Sequence, residues 1–141
     1  MTDPRLQTLY DIARQADLDA IVLIPGASLQ YLTGVDFHLM ERPLVTFFVP
    51  GRDPVAVLPA LEAERMKASG LPFELYPWTD AEGYHGAFEA AVRELGLAGK
   101  RIGVEELRMR MLEAELIRRY IPDVQLVMAG SAIAGLRLRK D

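Results

Sequence analysis

The chain has 141 residues, half of them apolar, with a net charge of −4 and no cysteine, which fits one folded domain and excludes disulfides, thiolate catalysis and cysteine-based metal sites. An acidic balance does not suit a nucleic-acid-binding protein, which usually carries a basic patch, and it gives no attraction to anionic membranes. The N-terminus lacks the pattern of a signal peptide, and no apolar run approaches the roughly 20 residues that span a bilayer, so we expect a cytoplasmic protein.

The first predicted elements are a helix, a strand and a short second helix. The Asp-Pro pair at 3–4 is typical of a helix N-terminus, and an apolar stripe with helical spacing extends this helix over 4–16. The unbroken apolar run at 20–24 predicts a strand that is covered on both faces. Ser28 can cap a short helix that ends near Gly34.

The rest of the chain alternates strands and helices around one hairpin. Residues 35–43 are polar and irregular, which predicts a loop, and the short turn at 50–53 implies an antiparallel hairpin. Strands are predicted over 44–49, 54–58, 73–76, 101–104 and 124–128. Helices are predicted over 61–69, 86–95 and 107–120. Ser131 can cap a final short helix that contains Ile133 and Leu136. The pattern predicts an α/β fold, with a layered mixed sheet of about six strands and helices on both faces.

Several residues with catalytic potential also have a structural interpretation. Residues 25–28 follow a strand and open a helix, where a phosphate can bind, but they lack the usual glycine-rich patterns, so a structural turn is the better interpretation. Glu105 and Glu106 could act as acid or base, although carboxylates at a helix start are also favoured by the helix dipole. His38 and His85 lie in different segments without an HExxH pair, so no metal site is predicted.

Loop 34–43 is the most function-like segment, because it combines His38, Glu41 and Arg42 with apolar groups, and loops on a rigid scaffold often carry function. Arg42 could bind a carboxylate through the planar fork of its guanidinium group. The alternative is that Arg42 pairs with Glu41 or Asp36 at the surface and that His38 has no role. The residue types alone favour this alternative.

Four motifs in the right order resemble the creatinase/prolidase N-terminal domain family. The segments DAIVLI (19–24) and SLQYLTG (28–34) are similar to its first strand and the helix that follows. RIGVE (101–105) is similar to a later strand of the family, and LRLRKD (136–141) to the segment by which the chain leaves the domain. Ser28 departs from the family pattern, in which asparagine is common. The resemblance spans nearly the whole chain.

The resemblance implies a ribonuclease H-like layered fold, with residues 1–130 as the domain and 131–141 as the start of a linker to a C-terminal catalytic domain. That second domain would hold two divalent metal ions, Mn, Co or Zn, which activate a water against the Xaa-Pro bond. Residues 1–141 would then supply no catalytic residue, no metal ligand and no cofactor, and would be inactive alone. The charged C-terminal segment fits a chain cut at a domain boundary, although a frayed natural terminus has the same appearance.

The resemblance also implies a role in dimerisation and substrate gating of a Xaa-Pro peptidase, of the aminopeptidase P or prolidase type. The expected partners are the catalytic domain, a second copy of the chain and short proline-containing peptides. Arg42 falls where creatinase uses an arginine on its substrate, and His38 and Glu41 join it as neighbours close to the substrate across the dimer. A creatinase-like hydrolase that is not a peptidase and a free-standing binding module stay open. A ribonuclease H-like nuclease needs carboxylates on its first strand, and residues 20–24 contain none.

Overall fold

The computed structural model describes residues 3–138, which form six strands, six α-helices and one 3-10 turn. The strands are β1 (Ala20–Leu23), β2 (Val45–Phe48), β3 (Val55–Pro59), β4 (Glu74–Trp78), β5 (Arg101–Val104) and β6 (Gln125–Met128). The helices are α1 (Pro4–Gln15), α2 (Ala27–Thr33), α3 (Ala63–Lys67), α4 (His85–Leu95), α5 (Met111–Tyr120) and α6 (Gly130–Leu138), and the 3-10 turn (Ala60–Glu62) precedes α3. No described helix has the length and apolar content needed to cross a bilayer.

One mixed sheet contains all six strands, in the order β4-β3-β2-β1-β5-β6. The strand β2 is antiparallel to its neighbours β1 and β3, whereas the other pairs are parallel. The predicted α/β fold with one hairpin is therefore confirmed. Five strands end at the same edge of the sheet, where β2 begins, and we call this edge the carboxyl edge. Binding sites of open α/β sheets commonly lie outside the carboxyl ends of their strands.

The strand β1 lies between two apolar cores, as its unbroken apolar sequence predicted. Successive side chains of a strand point to opposite faces. Ile21 and Leu23 accordingly pack in a core with α1, α2, α3 and α6, whereas Ala20 and Val22 pack in a second core with α4 and α5. All four residues are at most 1% exposed. The sheet is packed on both faces, so the loops at the carboxyl edge are attached to a well-packed scaffold.

Of the three predicted helix N-caps, one is confirmed and two are wrong. The Asp3 carboxylate accepts hydrogen bonds from the backbone N–H of Arg5 and Leu6, at 2.8 and 3.3 Å, so the predicted cap of α1 is confirmed. The prediction that Ser28 caps α2 is wrong, because the N-cap position belongs to Gly26 and Ser28 lies inside the helix. Ser131 likewise lies inside α6, which begins one residue earlier.

Two further helices are shorter than predicted. The helix predicted over 107–120 begins only at Met111, because the carbonyl of Glu105 closes a separate turn by accepting from the N–H groups of Arg108 and Met109. The helix predicted over 61–69 is divided into the 3-10 turn and the five-residue α3. Both differences lie at the carboxyl edge, where the chain leaves β5 and β3.

The last described helix, α6, belongs to the packed fold. Ile133 and Leu136 are 0% and 1% exposed and lie in the core that also contains residues of α1. Residues 131–138, which were expected to begin a linker, therefore form a helix with a buried face. The position of a domain boundary stays a prediction, and residues 139–141 of the exit motif lie outside the described part of the chain.

Candidate functional site

Loop 34–43 lies at the carboxyl edge, because it connects α2 to the start of β2. The ring of Phe37 is 4% exposed and anchors the loop in the core below it. The five residues from His38 to Arg42 are exposed, and Pro43 is buried again. The loop therefore presents His38, Glu41 and Arg42 together on the surface, between two buried residues.

The guanidinium group of Arg42 binds Asp80, which follows β4 at the same edge. Nε of Arg42 donates to Oδ1 of Asp80 at 2.8 Å, and Nη2 donates to Oδ2 at 2.7 Å. These hydrogen bonds hold the pKa of Asp80 below its usual value and raise that of Arg42. A surface ion pair was one of the two interpretations from sequence, but the partner is neither Glu41 nor Asp36.

A second arginine holds the beginning of the loop. Nη2 of Arg65, in α3, donates to the backbone carbonyl of Asp36 at 3.0 Å. The same guanidinium lies 5.1 Å from the centroid of the Phe37 ring, and its Nη1 is 3.0 Å from a carboxylate oxygen of Glu62. A cation over an aromatic face adds a modest electrostatic attraction. The hydrogen bond to the main chain fixes the loop without using any of its side chains.

A third arginine holds the middle of the loop from the other side. Nη1 of Arg110, directly before α5, donates to the backbone carbonyl of Met40 at 2.8 Å. Nε of Arg110 lies 3.0 and 3.1 Å from the two carboxylate oxygens of Glu113, and Nη2 donates to Oε2 of the same group. Glu113 is fully buried and Arg110 is 30% exposed. The hydrogen bonds that Arg110 donates to this carboxylate raise the pKa of Arg110 and fix its orientation toward the loop.

Glu105 and Glu106 hold neighbouring elements of the carboxyl edge together. The hydroxyl of Ser28 donates to Oε2 of Glu105 at 2.8 Å, so β5 is tied to α2. The N–H of Gly130 donates to Oε1 of Glu106 at 2.8 Å. The hydrogen bond from the backbone N–H of Glu106 itself, and then the one from Gly130, lower the pKa of the Glu106 carboxyl. Glu106 thus lies at a helix N-terminus, as its structural interpretation predicted. The helix is α6, however, and not α5, which follows β5 in the chain.

The side chain of Arg108 occupies the space beside residues 25–28, where a phosphate could bind. Nε of Arg108 donates to the carbonyl of Pro25 at 2.7 Å. A Cβ atom on Gly26 would lie 2.1 Å from the same nitrogen, so the glycine makes room for the arginine. These contacts favour the interpretation of residues 25–28 as a structural turn over that of a phosphate-binding loop.

The two histidines lie apart and in different surroundings. His38 is exposed on the loop, whereas Nδ1 of His85, in α4, lies 2.8 Å from the hydroxyl of Tyr120. Within residues 3–138, no group of three or more histidine, aspartate or glutamate side chains could hold a metal ion.

The carboxyl edge also carries large apolar side chains that the sequence analysis missed. Leu107, Leu61 and Met111 are 99%, 90% and 88% exposed, and Met40 of the loop is 42% exposed. Leu61 and Leu107 follow β3 and β5 at this edge, and Met111 begins α5 directly after Arg110, which donates to the carbonyl of Met40. Large exposed apolar side chains at one edge of a fold are typical of an interaction surface.

A family model and a curated relative match the chain. The model described as "Creatinase/Prolidase N-terminal domain" matches residues 5–139. The protein named "Putative dipeptidase YkvY" of Bacillus subtilis (strain 168) is 24% identical over 137 residues, which are 97% of this chain and 38% of the relative. The chain thus spans well under half the length of that relative.

Solved structures have the same fold. The N-terminal domain of a Xaa-Pro dipeptidase from Lactobacillus brevis matches with a TM-score of 0.83 at 21% identity, over 93% of this chain and 98% of that one. A dipeptidase from Pyrococcus horikoshii OT3 matches with a TM-score of 0.81 at 26% identity, over 97% of this chain and 37% of that one. This architecture thus occurs both in a separate N-terminal domain and as one part of a longer dipeptidase.

Proposed function

The chain belongs to the creatinase/prolidase N-terminal domain family, and on this premise we propose that it is the non-catalytic domain of a metal-dependent Xaa-Pro dipeptidase, acting in dimerisation and substrate gating. Relatives that carry a domain of this fold are named as dipeptidases, and the chain matches 36–38% of the longer ones. The catalytic domain, the dimer and the substrate are therefore part of the proposal, as is a cytoplasmic location.

The observation that supports substrate gating is the exposed part of loop 34–43. His38, Glu41 and Arg42 project from a loop whose main chain is held by Arg65 and Arg110. A rigid loop that presents a cation, an anion and an imidazole can select ligands by charge and size at little entropic cost. In the proposed enzyme Arg42 binds the terminal carboxylate of a short peptide, while His38 and Glu41 limit the space around it.

The apolar side chains of the carboxyl edge support dimerisation. Leu61, Leu107 and Met111 are almost fully exposed, and burial of such side chains against a second protein surface is favourable. A second copy that covers this edge would also bring the loop next to the partner's catalytic domain. Gating and dimerisation would then depend on the same surface.

The chemistry itself is proposed to lie in the catalytic domain. Two divalent ions, Mn, Co or Zn, when bound there, would supply an activated water for attack on the peptide carbonyl. The residues described here would bind and orient the peptide and exclude ligands that are too long.

The proposal is tested by comparing the whole protein with the 141-residue chain. The whole protein is expected to cleave Ala-Pro, to lose this activity after chelation and to regain it with Mn or Co. The 141-residue chain is expected to show no cleavage under any of these conditions. Turnover by the 141-residue chain would refute the division of roles, and turnover of creatine in place of Ala-Pro would instead identify a creatinase-like hydrolase.

Arg42→Ala in the whole protein tests the gating role. We expect a higher KM for Ala-Pro with an unchanged fold by circular dichroism, because one charge-assisted contact to the substrate carboxylate is lost. An unchanged KM would remove Arg42 from the proposed site. A monomeric whole protein that still cleaves Ala-Pro would refute the role in dimerisation but not the assignment to a peptidase.

A further inference from the structure

The contact between Arg42 and Asp80 has the geometry with which an arginine binds the carboxylate of a ligand. Two nitrogens of the guanidinium donate to two different oxygens of one carboxylate, at 2.8 and 2.7 Å. This is the two-point arrangement by which arginine recognises carboxylates. The terminal carboxylate of a peptide has the same planar shape and the same charge. One edge of the guanidinium can hold only one such group at a time.

This contact differs from the other two that hold the loop. Arg65 and Arg110 donate to backbone carbonyls of the loop, which are neutral and part of the chain. Arg42 and Asp80 are instead joined side chain to side chain, and these side chains are 44% and 67% exposed. A dissolved carboxylate can therefore reach the pair and replace one partner, while the main chain of the loop stays in place.

We propose that Asp80 is an internal competitor for the ligand carboxylate, so that the Arg42–Asp80 pair is a latch that the substrate opens. The inference rests on the proposed function, in which Arg42 meets the carboxylate of a proline dipeptide. Without substrate, Asp80 neutralises Arg42 and occupies the Nε and Nη2 edge of its guanidinium. A substrate with a free carboxylate displaces Asp80, whereas a peptide amide has no charged group that can do so. Asp80 thereby contributes to the selection of substrates by their C-terminal end.

The size of the effect follows from the exposure of the pair. Ion pairs between solvent-exposed side chains contribute little, because water screens both charges. Competition from Asp80 is therefore expected to weaken the binding of a substrate carboxylate by about 1.5- to fivefold. Salt screens exposed charges, with a Debye length of about 8 Å at physiological ionic strength, so the difference is expected to shrink as salt is added.

The test compares Asp80→Asn with the wild type in the whole protein, using Ala-Pro and Ala-Pro amide as substrates. Asparagine keeps the shape of the side chain but removes its charge. Asp11→Asn is the matched control, because it removes a surface carboxylate that pairs with Arg14 on α1 at 3.5 Å. Arg42→Ala and the Arg42→Ala/Asp80→Asn double variant complete the set.

We expect Asp80→Asn to lower the KM for Ala-Pro about 1.5- to fivefold, to leave the KM for the amide unchanged, and to have no effect when Arg42 is absent. Asp11→Asn should change neither KM. A higher KM for Ala-Pro in Asp80→Asn would mean that Asp80 only positions Arg42, and an unchanged KM would mean that it does not compete. Either result overturns the latch but leaves the proposed function standing, whereas absence of Ala-Pro cleavage by the wild type would overturn both.

A second measurement tests the latch in the 141-residue chain. The Nε–H proton of Arg42 is expected to exchange with solvent more slowly than that of Arg93, whose guanidinium lies 3.5 Å from Glu89 through Nη2 only. The protection should decrease in Asp80→Asn, because the neutral amide oxygen is a weaker acceptor than the carboxylate. Equal exchange of the two arginines in the wild type would show that the latch does not form.

Discussion

Removal of the Arg110 side chain is expected to destabilise the chain by about 3 kcal/mol, since breaking a buried ion pair typically costs 3–5 kcal/mol. Glu113 is fully buried, and the guanidinium of Arg110 neutralises it through both carboxylate oxygens. In Arg110→Ala the carboxylate stays in the core without a partner, which is the main source of the cost. We choose the lower end of the range because Arg110 itself is 30% exposed, so that water can reach the vacated space.

Urea unfolding of the 141-residue chain, followed by circular dichroism, measures this loss. A cost of about 3 kcal/mol should lower the unfolding midpoint by about 1–2 M urea, given the usual slope for a domain of this size. Arg93→Ala is the control, because Arg93 forms an exposed pair with Glu89 on α4 and should cost only about 0.3–0.5 kcal/mol. Arg110→Met combined with Glu113→Leu removes both charges and should recover most of the loss.

The same variant tests how the loop is held. Since Arg110 also donates to the carbonyl of Met40, Arg110→Ala should increase hydrogen exchange of the amides in residues 38–42. A loss of less than about 1 kcal/mol, or a double variant no more stable than Arg110→Ala, would refute the argument that an unpaired Glu113 carries the cost.

Further predictions concern glycines and acid stability. Gly103→Ala should cost about 1–3 kcal/mol in urea unfolding, because its Cβ would lie 2.5 Å from Cδ1 of Leu18 in the core. Gly86→Ala meets no atom within 4 Å and should stabilise α4 by about 0.4–1 kcal/mol, and a destabilised variant would contradict this. The pKa of Glu106 is lowered in the fold, so its contribution to stability is present above the unfolded pKa and is lost as pH falls through the folded one. Glu106→Gln should therefore flatten the decline of stability in acid, and an unchanged acid limb would show that the backbone hydrogen bonds to the Glu106 carboxylate contribute nothing to stability.

Much of the fold could be predicted because it depends on patterns that lie close together in sequence. The strand at 101–104 was predicted with the bounds that β5 has, and this segment contains the apolar residues Ile102 and Val104. The Asp3 cap and the hairpin after β2 depend on neighbouring residues in the same way. The start of α5 was missed because residues 107–110 contain good helix formers, but the turn at Glu105 satisfies the backbone groups there instead.

The contacts of the site could not be predicted, because they join residues far apart in the chain. Nothing in the spacing of Arg42 and Asp80 connects them, since the contact exists only because β2 begins where β4 ends. The burial of Glu113 has no signal in the sequence, because glutamate is almost never fully buried unless it is paired. Glu113 is buried because Arg110 folds over it, and that pairing depends on where α5 begins.

Arg65 and Arg110 hold the main chain of loop 34–43, whereas Arg42 contributes an exposed side chain to its surface. Arg65 and Arg110 act on main-chain carbonyls, so the path of the loop does not depend on which side chains occupy the exposed positions. A substitution at His38 or Glu41 can therefore change what the loop selects without loosening its frame. Arg42 is the exception, because its side chain connects the loop to a charged partner. It follows that selectivity should respond to the side chains at 38, 41 and 42, whereas stability should respond mainly to Arg110.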